Sequence, residues 1–143
     1  MFVSVTRLRL RGFRFLPSFF WHTMSSNRQL QRAPGFLGGV LAREGALGYW
    51  TVTAWTDAEA MLRYRNSGAH MKAMPKLIAW CDEASVAHWE QEGTTLPSMP
   101  EALARMVAEG RLSKVRHPSP EHAAGQIAPA RQAPFPALPM HPN

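Results

Sequence analysis

The segment YWTVTAW, from Tyr49 to Trp55, is built of aromatic and β-branched residues on both of its faces. Successive strand side chains point to opposite sides. Tyr49, Thr51, Thr53 and Trp55 therefore share one face, and Trp50, Val52 and Ala54 share the other. A strand without a polar side needs a cover on each face, so this chain must place a layer on both sides of a sheet.

The neighbouring segments show how that sheet is completed. FVSVTRLRL (residues 2–10) alternates in its second half and reads as a strand. From Phe15 to Gln31, Leu16, Phe20, Met24 and Leu30 fall near helical spacing, and Pro17 suits a first turn. Ala33-Pro34-Gly35 ends that helix. FLGGVLARE, the turn GALG and YWTVTAW form a hairpin, in which Gly35, Gly38 and Gly39 mark a bulge or a close backbone approach. Asp57 caps a short helix to Tyr64, and Asn66-Ser67-Gly68 breaks it.

In the next helix His70, Ala73, Met74, Leu77 and Cys81 fall at i, i+3, i+4, i+7 and i+11. Pro75 predicts a kink or a late start there. ASVAHWEQ is a last strand, and a helix from Pro100 to Glu109 follows. The order β-α-β-β-α-β is that of an α+β, ferredoxin-like antiparallel sheet with a C-terminal helix. The two-sided strand makes a homodimer, sheet packed on sheet, the expected source of the second layer.

Charge is unevenly spread. Residues 1–43 hold seven arginines and no acid, residues 44–110 five basic and nine acidic residues, and the tail four basic residues and Glu121. The arginines are interspersed with strand and helix patterning and form no compact cluster, so no nucleic-acid partner is expected. The span from Phe15 to Asn27 is too short to cross a bilayer and no A-x-A-like site follows it, so a cytoplasmic protein without a membrane span is expected. Seven of the twelve prolines lie between Pro118 and Pro142. Residues 1–112 therefore read as the folded domain, and 113–143 as a disordered tail dispensable for folding.

The residues FLGGVLARE…YWTVTAWTDAEAMLRYRNSGAHMKAM resemble the dimeric α/β-barrel superfamily. Within it the likeness is to antibiotic-biosynthesis-monooxygenase-like proteins and to the C-terminal region of spheroidene monooxygenases. It spans roughly residues 3–110 and rests on the PGF after the first helix, the strand ending at Trp55, and Gly68-Ala69-His70. The resemblance implies a dimeric barrel with a pocket in each protomer between helices and sheet. Some members oxidise polycyclic substrates without a cofactor, and others bind haem. Haem-degrading members place the axial histidine a few residues further along the second helix, near Met74 here. No cofactor is therefore the primary expectation, with haem as the alternative.

His70 sits on the apolar stripe, either as a core histidine satisfied by a backbone group or as a pocket acid/base or iron ligand. His22, beside Phe19, Phe20 and Trp21, is the second catalytic candidate. Trp50, Met74, Leu77 and His88 are candidate pocket walls, and no metal site is expected. The single cysteine, Cys81, reads as a buried thiol. Two functions stand side by side: a monooxygenase-like enzyme acting on a small hydrophobic metabolite, or a non-catalytic binding or structural dimer.

Overall fold

A computed structural model describes residues 1–127 and 137–143. Strands β1 (Phe2–Leu10), β2 (Phe36–Glu44), β3 (Gly48–Trp55) and β4 (Cys81–Glu90) pair antiparallel in the order β4-β1-β3-β2. Helix α1 (Leu16–Gln31) follows β1; α2 (Ala58–Arg65) and α3 (Gly68–Trp80) lie between β3 and β4. That is the ferredoxin-like order expected from the sequence. The hairpin glycines act as read: the β2–β3 register shifts between Phe36 and Gly38, and a Cβ on Gly39 would lie 2.5 Å from the Val52 carbonyl.

The second cover comes from within the chain. Helix α4 (Met99–Glu109) lays Ala102 and Met106 against Val3, Val5, Trp50, Val52 and Trp89, and Trp50 and Val52 are fully buried. A two-sided β3 therefore needs no second copy to bury its far face. Ser98 opens α4 by accepting a hydrogen bond from the Glu101 amide, and Pro100 suits its first turn.

Below this core Arg7, almost fully buried on β1, lies between two carboxylates. Its Nε and Nη2 donate to Glu44 at 3.1 and 2.8 Å, and its Nη1 donates to Glu83 at 3.1 Å. Such a buried cation holds only because both partners are present. Trp50 Nε1 also donates to Glu44.

The tail expectation is corrected in its described residues. Beyond β5 (Arg111–Leu112), which pairs with β4 within the expected domain, α5 (Pro120–Ala123) and β6 (Ala137–Met140) fall in the tail, and β6 pairs with β2. Ser119 is buried and donates to Glu83 at 2.9 Å, and Met140 is buried in the cluster around Trp55. A proline-rich composition hid these anchors, because a few buried side chains are enough to pin a segment with little core of its own. Residues 128–136 of that tail lie outside the described residues.

Pro75 does not delay α3, which runs from Gly68 through it to Trp80. It sits mid-helix on the exposed side, where water can satisfy the carbonyl that loses its donor.

Candidate functional site

Between α1, α3 and the near face of the sheet lies a cavity of about 410 Å³. Its floor is the Tyr49, Thr51, Thr53, Trp55 face of β3, with Ser4 and Thr6 of β1 and Val86 and His88 of β4. These residues meet because pairing places Ser4 opposite both Thr53 and His88. Val115 and Met140 of the tail close part of the wall. The size and the largely apolar lining suit a small molecule.

His70 is held there by a built junction. Gln29, near the end of α1, donates from Nε2 to the carbonyls of Tyr64 and Ser67, and its Oε1 accepts from the His70 amide at 2.9 Å. Gly68 has φ +58°, and a Cβ on it would press against the Gln29 amide at 3.0–3.2 Å. Glycine is thus required both for the left-handed turn between α2 and α3 and for the approach of Gln29. This is what the Gly-Ala-His start accomplishes.

The His70 ring packs at 4.9 Å on Tyr64, and its Nδ1 lies 3.2 Å from the Arg65 carbonyl. A carbonyl only accepts, so Nδ1 carries the proton and Nε2 keeps its lone pair. Burial pushes the His70 pKa down, the Arg65 carbonyl partly opposes this, and the net shift is downward. The ring is neutral at pH 7. The sequence offered two readings of His70, a backbone-satisfied core residue or a pocket residue. The structure gives it both properties.

The other candidates divide. Met74, Leu77, His22 and His88 line the same cavity as His70. His22 has its Nε2 3.3 Å from Lys76 Nζ, which occupies its lone pair; burial and that ammonium both lower its pKa. His88 packs 5.5 Å from Phe2, and its pKa is lowered by burial and by Arg111 and Arg65.

Trp50 is a correction. It lies on the opposite sheet face with α4, because period-two alternation separates it from Tyr49 and Thr51. Trp55 and Tyr49 of the cavity face stand where Trp50 was expected. Asn27, Tyr49 and Tyr64 were not singled out in the sequence, yet Asn27 Oδ1 and Tyr49 Oη are buried without a protein partner among the described residues. Cys81 is fully buried, and burial raises its thiol to about 12, as an inert structural residue requires. Among the described residues no three His, Cys, Asp or Glu side chains gather as metal ligands.

The alternative cofactor can be set against this donor arrangement. A His whose Nδ1–H is committed to a carbonyl keeps on Nε2 a lone pair that could bind iron, and Arg65 and Lys114 on the cavity wall could pair with carboxylates. Chemically these residues fit a haem.

A ferredoxin-like sheet with a cavity between its helices and its near face defines an α+β class. The family model for antibiotic biosynthesis monooxygenases matches residues 24–76. Among solved structures the chain is similar to SnoaB, a cofactor-independent oxygenase from Streptomyces nogalater, at 22% identity and TM-score 0.54, covering 68% of this chain and 97% of that one. A conserved protein from Methanosarcina mazei is similar at 13% identity and TM-score 0.58, over 64% of this chain and 92% of that one. A Mycobacterium tuberculosis protein is similar at 8% identity and TM-score 0.58, over 64% and 95%. No curated protein matches the chain. The resemblance to monooxygenase-like proteins read from the sequence is borne out, and the structural likenesses show the shared fold.

Proposed function

We propose that this protein binds a small, largely apolar molecule in the cavity and acts on it as a monooxygenase-like enzyme, with His70 as the general base. The observation that carries this reading is the neutral His70 ring on the cavity wall, its Nδ1–H committed to the Arg65 carbonyl. Nε2 then takes a proton from an acidic C–H or O–H of the ligand, and the electron pair stays on the ligand. An electron-rich anion of this kind can reduce dioxygen directly. One oxygen atom enters a CH2 group, which becomes C=O; the other leaves as water with the two hydrogens. Thr6 and Thr51 on the floor and Met74 and Leu77 of α3 form the surfaces between which a flat ligand would lie. Haem, when bound, would supply dioxygen binding, with His70 Nε2 as its ligand and Arg65 and Lys114 beside its carboxylates.

The test uses dithranol, a tricyclic anthrone with an acidic CH2, and a dioxygen electrode. Uptake by the purified protein that falls at least about a hundredfold in His70→Gln supports the reading. A folded His70→Gln protein with undiminished uptake refutes the role of His70. Dithranol binding without uptake favours the non-catalytic reading. A haemin titration separates the cofactor branch: a Soret band that shifts in the wild type but not in His70→Gln supports haem ligation.

A further inference from the structure

We infer that the outer face of α1 and α3 docks on an anionic lipid bilayer surface. The inference stands independently of the catalytic reading. Helices α1 and α3 and the turn Phe13–Phe15 contain no acidic residue, but carry Arg14, Arg28, Lys72 and Lys76, all exposed. A solvated helical face ordinarily mixes both signs. This face has only one.

The same face displays large apolar side chains. Trp21 is 72% exposed, Phe13 65%, Met24 54% and Met71 51%, and Phe20 and Met74 are also exposed. Helical spacing gathers them: Met24 lies one turn from Phe20 and Trp21, and Met74 one turn from Met71. The two helices run antiparallel, with Gln29 against His70 and His22 against Lys76. That register sets Met24 level with Met74 and Arg28 level with Met71. Trp21, Met24 and Met71 are thus exposed on the same two helices that carry Arg28, Lys72 and Lys76, while Phe20 and Met74 sit at the rim of the cavity.

An exposed apolar patch of this extent marks an interaction site. Its charge selects the partner. Two copies of an all-basic face repel each other, which argues against self-association here. Tryptophan and phenylalanine beside Lys and Arg match the interfacial zone of a bilayer, where rings enter the headgroup–acyl boundary and cations meet anionic headgroups. A nucleic acid would satisfy the cations but leave the apolar side chains against a hydrated phosphate backbone. No helix among the described residues is long and apolar enough to cross a membrane, so the contact is with its surface. The helices that present this face also wall the cavity through His22, Thr23 and Met74.

The test is co-sedimentation of the full chain with vesicles of phosphatidylcholine containing phosphatidylglycerol, against pure phosphatidylcholine vesicles and a DNA duplex. Each basic residue near an anionic surface strengthens binding about fivefold, so Lys72→Gln/Lys76→Gln should weaken it about twenty-five-fold. Trp21→Ala should weaken it as well, and should remove a blue shift in tryptophan emission seen on adding vesicles to the wild type. Both variants change exposed residues, and circular dichroism confirms their fold. Binding to anionic but not neutral vesicles, lost on raising salt and in both variants, supports the inference. Absence of vesicle binding, binding unchanged in both variants, or tighter binding to DNA than to vesicles overturns it.

Discussion

Replacing His70 with alanine tests the site through its own energetics, without any ligand. At pH 7.5 the wild-type ring contributes the Nδ1–H bond to the Arg65 carbonyl and the contact with Tyr64. A neutral hydrogen bond is worth about 1 kcal/mol and a tilted aromatic pair about 0.5–1.5 kcal/mol, so His70→Ala should cost about 1.5–2.5 kcal/mol there. The pH dependence carries the discrimination. The pKa of His70 is lowered from 6.5 in the folded chain, chiefly by burial. Below pH 6.5 the unfolded state binds a proton that the folded state resists, so folding loses stability as pH falls. The slope is at most about 1.4 kcal/mol per pH unit for one proton. The alanine variant lacks this group and escapes the penalty. The difference between wild type and variant should therefore shrink from about pH 7.5 to about pH 5, while His22 and His88 affect both proteins equally. Urea unfolding followed by tryptophan fluorescence at a series of pH values measures it. A difference that grows toward low pH would mean that the folded state holds His70 charged, and the general-base assignment would be refuted.

Other outcomes follow from the same packing. Tyr49→Phe removes a buried hydroxyl without a partner, so it should raise stability by about 1 kcal/mol in a thermal melt; a loss of that size would reveal a partner for Oη. Ser119→Ala strips a donor from the buried Glu83 and should cost about 1–3 kcal/mol by urea unfolding, whereas an unchanged midpoint would restore the tail to a dispensable role. Gln29→Leu should leave the sheet intact but free the His70 ring, seen as a histidine pKa that moves back toward 6.5 by NMR; an unmoved value would show that Gln29 does not position the ring. A chain ending at Pro97 loses α4 and bares Trp50, Val52 and Trp89, so light scattering should show it self-associating; a stable monomer would mean that α4 is not the cover of that face.

Much of this architecture is legible in the sequence because each strand and helix has its own period. The β3 alternation gives both sheet faces, and the Ala73, Met74, Leu77 stripe places His70 toward the interior. What one strand cannot show is which of its two apolar faces meets the cavity. Both carry aromatic residues, and only the pairing of Ser4 with Thr53 and His88 decides against Trp50. The Gln29 junction was also hidden, since it couples two residues 41 positions apart in sequence. The second layer was read as a partner copy because a fully buried face looks the same whether its cover is α4 or another chain. In the tail, the prolines mask Ser119 and Met140, two isolated buried residues that leave no periodic pattern.

The central claim is that His70 is a neutral histidine with the proton on Nδ1 and a lone pair on Nε2 at the cavity. Nitrogen-15 NMR of histidine side chains, assigned with His70→Gln, measures tautomer and titration together. The expected result is an Nδ1–H tautomer at pH 7 that titrates below 6.5 and whose Nε2 resonance moves when dithranol is added. An Nε2–H tautomer, or a midpoint above 6.5, would contradict it.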